Sequence, residues 1–212
     1  MANLSISSLT AGSLAVNCWF LVNEDTKEAL IFDPGGEAEK LYAYARKNGW
    51  SVKAILLTHG HADHMGGAKE LQELTGAPVY ALQEEKALLL NAKTNLSVFI
   101  SHKVITVNAD EYLKDGQELT LAGIGLKVFH TPGHTPGGAS YYCREAGCVF
   151  SGDTLFQASV GRSDFPGGSM SQIVRSVRET LFALPDETRV CPGHGEETTI
   201  GYEKMYNPFV QG

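Results

Sequence analysis

Val52-Lys53-Ala54-Ile55-Leu56-Leu57-Thr58-His59-Gly60-His61-Ala62-Asp63-His64 carries an apolar strand straight into a run of metal-ligating residue types. Val52 to Leu57 reads as the short apolar run of a buried strand. The histidines begin where that run stops. Imidazole nitrogens and carboxylate oxygens are good ligands for zinc, iron and manganese. His59 and His61 sit two apart in an extended turn and can point the same way. Asp63 and His64 open the next helix and can point across the gap. Two ligand pairs from one short segment suit two metal ions, about 3.5–4 Å apart in two-metal hydrolases.

Three further segments have the same character. His134 lies in Thr131-Pro132-Gly133-His134-Thr135-Pro136-Gly137, Asp153 in Ser151-Gly152-Asp153-Thr154, and His194 in Cys191-Pro192-Gly193-His194-Gly195. Each follows a predicted strand, and strand ends are where α/β sheets assemble sites. Glycine lets the backbone turn tightly there, so side chains from separate loops can converge. His134 and His194 could each complete one metal site, with Asp153 bridging both. His102 and His130 have no such context.

Outward from the site the pattern stays mixed. Leu14 to Asn23 and Ala29 to Phe32 read as strands around a polar turn, followed by the breaker Asp33-Pro34-Gly35-Gly36. Helices are predicted over Glu37–Asn48, Met65–Thr75, Glu84–Asn91, Ser171–Leu184 and Thr198–Met205. Ile173, Val174, Val177, Leu181 and Leu184 share one face of the fourth. Further strands are predicted over Val79–Tyr80, Val104–Val107, Glu118–Leu121, Leu126–His130, Gly138–Cys143, Cys148–Ser151 and Arg189–Cys191. Two runs of strands, each followed by helices, imply sheets sandwiched between helices.

The chain has 212 residues, enough for one domain with a sizeable core, and a formal net charge of -7. That acidity repels a phosphate backbone and argues against nucleic acid as a partner. No segment reaches the roughly 18 apolar residues that span a bilayer, so no membrane partner is expected. The N-terminus has no early Lys or Arg, and Asn17 interrupts its apolar run, so it makes a poor signal peptide. A cytoplasmic location is expected. Cys18, Cys143, Cys148 and Cys191 form no Cys-x-x-Cys pair. Cys143 and Cys148 flank a hairpin loop and could face each other, but free thiols are expected in a reducing cytosol.

The ligand segments resemble the metallo-β-lactamase superfamily, with motifs spread in its order from Asp33 to His194. The resemblance implies one domain over residues 1–212, an α/β fold built as a four-layer αβ/βα sandwich with metals in the groove along one sheet edge. It implies that His59, His61 and His134 hold one metal and that Asp63, His64 and His194 hold a second. Asp153 would bridge them together with a water or hydroxide. Asp33, in Phe32-Asp33-Pro34-Gly35, would orient ligands rather than bind metal. Two zinc ions are the implied cofactor, with iron or manganese as alternatives, and Asp63 and Asp153 would orient the nucleophile.

Within the superfamily the chain looks like the short glyoxalase-II-like hydrolases. Gly152-Asp153-Thr154-Leu155-Phe156 and the end from Thr199-Ile200-Gly201-Tyr202-Glu203 to Asn207-Pro208-Phe209 carry that likeness. The implied reaction is hydrolysis of a small-molecule thioester of the S-acylglutathione kind. An aspartate at 153 argues against those β-lactamases that place a cysteine there, and the length against the RNA-processing members with an extra domain. The chain ends about one helix after His194, without the C-terminal helical domain of full-length glyoxalase II. Where that enzyme turns a Lys and a Tyr toward glutathione, this chain reads Gly161-Arg162-Ser163-Asp164-Phe165. Arg162 is a candidate for binding a substrate carboxylate, or else for pairing with Asp164. The same loop resembles the persulfide dioxygenases, which hold one iron through the counterparts of His59, His134 and Asp153. A third reading is a non-catalytic metal-binding module, whose signature would be lost ligands; none is missing.

Overall fold

The computed structural model describes residues 2–100 and 103–211, so the unassigned His102 lies outside the described residues. Two six-stranded sheets form the centre. The first contains, in spatial order, β1 (Leu4–Ala11), β2 (Val16–Asn23), β3 (Glu28–Phe32), β4 (Ser51–Leu56), β5 (Val79–Leu82) and β6 (Glu111–Leu113). Its first three strands are antiparallel neighbours, and β3 to β6 run parallel. The second sheet contains β7 (Glu118–Leu121), β8 (Ile124–His130), β9 (Ala139–Cys143), β10 (Cys148–Gly152), β13 (Arg189–Pro192) and β14 (Thr198–Thr199). In it only β10 and β13 are parallel. A two-stranded hairpin, β11 (Leu155–Phe156) with β12 (Ser159–Val160), stands beside the second sheet.

Alternation along the strands makes three apolar layers. In β2, Trp19 and Leu21 face the second sheet, while Cys18, Phe20 and Val22 face helices. The helices on that outer side are α1 (Ala38–Lys47) and α3 (Ala68–Thr75), which bury Leu41, Ala45 and Leu71. Between the sheets, Phe32 stacks on Phe150 with ring centroids 3.8 Å apart. Outside the second sheet, Val149 and Val190 pack with Ile173, Val177 and Leu181 and with Ile200 of α7 (Ile200–Tyr206). The result is the four-layer αβ/βα sandwich.

Several elements differ from the sequence reading. β1 precedes the predicted first strand, and Leu14 and Ala15 lie in the turn before β2. Residues 104–107 form no strand: the Val107 N–H donates to the Leu89 carbonyl, and the edge position is taken by β6. Val107 is apolar because it is buried in a core, not because it pairs in a sheet. The predicted helix from Met65 is two pieces, α2 (Ala62–Met65) and α3, broken at Gly66-Gly67. There the Gly67 N–H turns to the Pro34 carbonyl, at 2.7 Å. The predicted Glu84–Asn91 helix is a 3₁₀ turn (Gln83–Glu85) followed by α4 (Lys86–Leu89). A further short helix, α5 (Ser97–Ile100), follows. The predicted Ser171–Leu184 helix starts as α6 (Met170–Arg175), capped by the Ser169 side chain, then passes through a π turn and a 3₁₀ turn. Its predicted apolar face survives these changes of pitch, with Ile173, Val177 and Leu181 all buried.

Candidate metal centre

All seven residue positions singled out as ligands meet at one edge of the sandwich. His59 and His61 follow β4, Asp63 and His64 ride on α2, His134 follows β8, Asp153 follows β10 and His194 follows β13. Ligand atoms of His59, His61 and His134 lie within 4.8 Å of one another, and so do those of Asp63, His64 and His194. His61 Nδ1 is 2.9 Å from His134 Nε2, and His64 Nε2 is 3.3 Å from His194 Nε2. Asp153 stands between the groups: Oδ1 is 3.3 Å from His64 Nε2, and Oδ2 is 3.5 Å from His134 Nε2. Asp63 Oδ2 lies 3.3 Å from His194 Nε2.

The other nitrogens of two rings are already engaged, which fixes where the free lone pairs point. His134 Nδ1–H donates to the Arg162 carbonyl at 2.7 Å, leaving Nε2 toward the cluster. His64 Nδ1 lies 2.9 Å from Asp33 Oδ2, again leaving Nε2 inward. Asp33 also accepts the Thr58 N–H on Oδ1 and the Thr58 hydroxyl on Oδ2, at 2.7 and 2.6 Å. It therefore holds ligands in place from behind. His59 Nε2 and Asp153 Oδ1 are buried without a hydrogen-bond partner. Buried polar atoms rarely stay unpaired, and two of them aimed into a nest of imidazoles and carboxylates fit a metal cation.

The electrostatics agree with that donor set. Burial first, then the neighbouring imidazoles, push His59 well below the ordinary histidine range. His61 is pushed down to about 3 by burial and by His134. Both rings are neutral at neutral pH and offer lone pairs. Burial opposes charge on His64, but Asp153, Asp63 and Asp33 outweigh it and hold its pKa well above the usual value, so these carboxylates favour a positive charge at Nε2 that a metal cation would supply in place of the proton. Asp153 and Asp63 are held below the carboxylate range, because His64 and its neighbours overcome the cost of burial. Their carboxylates are ionised.

Backbone packing makes the convergence possible. A Cβ on Gly35 would stand 1.6 Å from the Asp63 carbonyl oxygen, so only glycine lets the Pro34-Gly35 turn touch α2 this closely. Two anchoring residues were missed by sequence reasoning. Asn17, read only as a break in an apolar run, donates from its side chain to the carbonyls of Pro192 and Gly195, and its N–H reaches the Gly193 carbonyl. It clamps the His194 loop to β2. Glu85 is buried and accepts the N–H groups of Gly60 and Gly137, each at 2.8 Å. It ties the His59–His61 turn to the His134 loop. The one available signal was a polar residue inside an apolar stretch for Asn17; Glu85 sits in a charged run that gives none.

His130 stays outside the cluster, its Nε2–H donating to the Pro136 carbonyl at 2.9 Å. Arg162 sits beside the centre, and it is its carbonyl that touches a ligand. Its guanidinium forms a two-bond fork with Asp164, both bonds 2.7 Å, and lies 4.1 Å from the Phe165 ring centre. A cavity of about 730 Å³ opens over the cluster, walled by Leu14, Leu96, Phe99, Ile100, Phe156 and Phe165. The four cysteines are buried free thiols. Cys143 and Cys148 are cross-strand neighbours in β9 and β10, as the hairpin reading expected. No helix among the described residues is long and apolar enough to cross a membrane.

Comparison with known proteins identifies the family. The sequence profile of the metallo-beta-lactamase superfamily matches residues 11–194. The chain is 40% identical to the probable metallo-hydrolase YqgX of Bacillus subtilis over 96% of both chains. It is 37% identical to the hydroxyacylglutathione hydrolase GloC of Haemophilus influenzae over 98% of both. Among solved structures, the BLEG-1 B3 metallo-beta-lactamase superposes with a TM-score of 0.93 at 40% identity, covering 98% of this chain and 100% of that one. TTHA1623, solved in a di-iron-bound form, gives 0.85 at 38% identity, covering 96% and 99%.

Proposed function

The chain belongs to the metallo-beta-lactamase superfamily, and from that membership we propose that it is a two-metal thioester hydrolase of the glyoxalase II kind. The observation that carries this reading is the presence of two complete three-residue donor groups with Asp153 between them. A one-iron oxygenase needs only His59, His134 and Asp153, a subset of the same donors, so the metal count separates the two readings. The GloC relative and the di-iron form of TTHA1623 support the two-metal hydrolase.

His59, His61 and His134 would hold the first ion and Asp63, His64 and His194 the second, with Asp153 placed between the two groups. Zinc is the favoured metal, and the nitrogen-rich donor set also suits iron. Bound there, the ions supply Lewis acidity and lower the pKa of a coordinated water to about 7. The chain's own contribution is placement. Asp63 and Asp153, ionised at neutral pH, accept hydrogen bonds from the attacking water and fix its direction. Phe156 and Phe165 line the cavity sides and give the substrate an apolar surface beside the ligands. Hydrolysis joins the water oxygen to the acyl carbon and breaks the C–S bond, and the thiolate leaves without needing a strong acid. Asp33 and Glu85 hold the ligand loops and do not touch substrate. The chain works in the cytoplasm on a small molecule.

The test is metal content and rate together. The protein expressed without added metal is expected to carry about two ions per chain and to cleave S-lactoylglutathione or another thioester. Asp153→Ala is expected to lose metal and activity together; full metal content and full rate in that variant would remove the bridging role. One iron per chain with oxygen uptake on glutathione persulfide would replace the hydrolase by the oxygenase reading.

A further inference from the structure

The wall of the cavity away from the metal centre is apolar. Leu14, Leu96, Phe99, Ile100, Phe156 and Phe165 form it, and Phe99 and Leu14 keep 69% and 49% of their surface exposed. Arg162 is the one Lys or Arg among the described residues lining it. One edge of its guanidinium is already engaged. Both donors of its fork meet the Asp164 carboxylate at 2.7 Å, and its flat face lies on Phe165. Water screens this exposed pair and makes it a weak contribution to stability. Screening does not restore a net charge: Arg162 and Asp164 together present none to an incoming anion. A substrate carboxylate would have to displace Asp164 to gain this bidentate edge, or accept the remaining Nη donors of a pair whose charge is already balanced.

The apolar lip is also built into the metal centre. The Ala62 N–H at the start of α2 donates to the Asn95 carbonyl at 2.9 Å, and the buried Asn95 side chain bonds Ile105 and Ser97 backbone groups. Leu96 adopts a left-handed backbone, φ 66°, a conformation that a bulky side chain rarely takes and that the surrounding bonds must impose. Phe165 meets His61 edge-on with ring centres 5.6 Å apart. A group bound against these side chains therefore sits directly beside the ligands.

We propose that the site selects a thioester with an apolar acyl group and an uncharged thiol portion, and that Asp164 enforces this choice by neutralising Arg162. This rests on the thioester-hydrolase part of the reading above and replaces the glutathione-linked substrate by a neutral one. The reaction is unchanged: the water oxygen bonds the acyl carbon, the C–S bond breaks, and a carboxylic acid and a neutral thiol are released. Each methylene buried against the wall strengthens binding by about fourfold, so a medium-length acyl chain gains far more than a lactoyl group. A glutathione portion brings two carboxylates toward a wall whose one cation among the described residues is already paired.

Two non-hydrolysable thioethers test the cavity without catalysis: S-octylglutathione and S-octyl-N-acetylcysteamine, titrated into metal-loaded protein by calorimetry at low salt. The neutral ligand is expected to bind at least tenfold more tightly. Asp164→Asn is expected to strengthen the glutathione conjugate three- to tenfold and to leave the neutral ligand within twofold. Phe99→Ser is expected to weaken the neutral ligand about tenfold. Equal or tighter binding of S-octylglutathione by the unaltered protein, or no effect of Asp164→Asn, overturns the inference. Kinetics separate the two levels of reading. Faster cleavage of octanoyl-N-acetylcysteamine than of S-lactoylglutathione supports both. Cleavage of S-lactoylglutathione alone overturns the selection and keeps the hydrolase. Cleavage of neither removes the hydrolase, while the thioether pair still decides what the cavity binds.

Discussion

Asp33 Oδ2 lies 2.9 Å from His64 Nδ1, and through this contact one buried carboxylate serves both halves of the site. The same side chain takes two hydrogen bonds from Thr58, the residue before His59. A residue contributed by β3's end thus aligns a ligand on α2 and the turn after β4. Its backbone is left-handed, φ 49°, which an aspartate tolerates better than most side chains.

Asp33→Asn separates orientation from backbone shape, because asparagine tolerates the same φ. The amide has one oxygen for three donors, and its NH₂ faces a ring nitrogen or a backbone N–H. The expected result is a folded protein whose metal affinity falls about 10- to 100-fold, the usual loss when a ligand's orienting partner is removed. Competition with a colorimetric chelator measures it. Affinity equal to that of the unaltered protein would mean that His64 is held by packing alone.

Glu85 supports a second prediction with a defined pH sign. Its pKa is raised, first by burial, against the opposing hydrogen bonds from Gly60 and Gly137. Between the ordinary glutamate pKa and that raised value the native state binds more protons than the unfolded chain. Stability tied to Glu85 is therefore full below the ordinary value and declines as pH rises through the raised one. Glu85→Gln should remove this slope. It should also cost about 1–3 kcal/mol, because glutamine has one acceptor oxygen for two buried N–H donors. Urea unfolding across pH 4–8 checks both. An unchanged slope in the variant would assign the pH response to other groups.

How much of this was legible beforehand follows from the range of each interaction. The ligand segments are local: strand, tight turn and donor residues lie within a few positions, so the sequence Thr58 to His64 announces its chemistry. The apolar runs of β2, β3 and β4 likewise mark strands buried on both faces, as a sheet between layers requires. What was missed is long-range or cooperative. β6 exists because β5 offers an edge to pair with, and the Asp110 carboxylate already accepts the Val79 N–H beside it. The apolar residues 104–107 gave the better local strand signal and lost to packing. Asn17 and Glu85 act on residues 175 and 52 positions away, and no periodicity records such a bond. The Ser171 helix kept its apolar face while changing pitch, since burial constrains the face more tightly than the hydrogen-bond pattern.

Gly161→Ala tests whether the loop before Arg162 can yield. A Cβ there would meet the Asp153 carbonyl oxygen at 1.8 Å and His134 Nδ1 at 3.3 Å. Either the loop or the two ligands must move. Overpacking of this kind typically costs about 1–3 kcal/mol. The sharper expectation is a larger loss of metal affinity than of stability, because the displaced groups are ligands. Gly49→Ala is the control: nothing lies within 4 Å, but φ is +77°, so it should cost stability alone. Matching metal affinities in the two variants would show that the loop absorbs the methyl group.

Metal removal should lower stability as well as activity, because the ligands come from four separate chain segments and both sheets. An ion that binds only the native arrangement stabilises it by RT ln(1 + [L]/Kd), about 2.7 kcal/mol at a hundredfold excess over Kd. For a chain of this length that corresponds to a rise in Tm of about 5–10 °C. Tm should therefore climb with added zinc and fall after chelation. In Asp153→Ala the climb should be strongly reduced, since both donor groups lose their common carboxylate. A Tm that ignores zinc while activity still requires it would mean that the loops are fully positioned by Asp33, Glu85 and Asn17. The ions would then contribute to the chemistry and not to the fold.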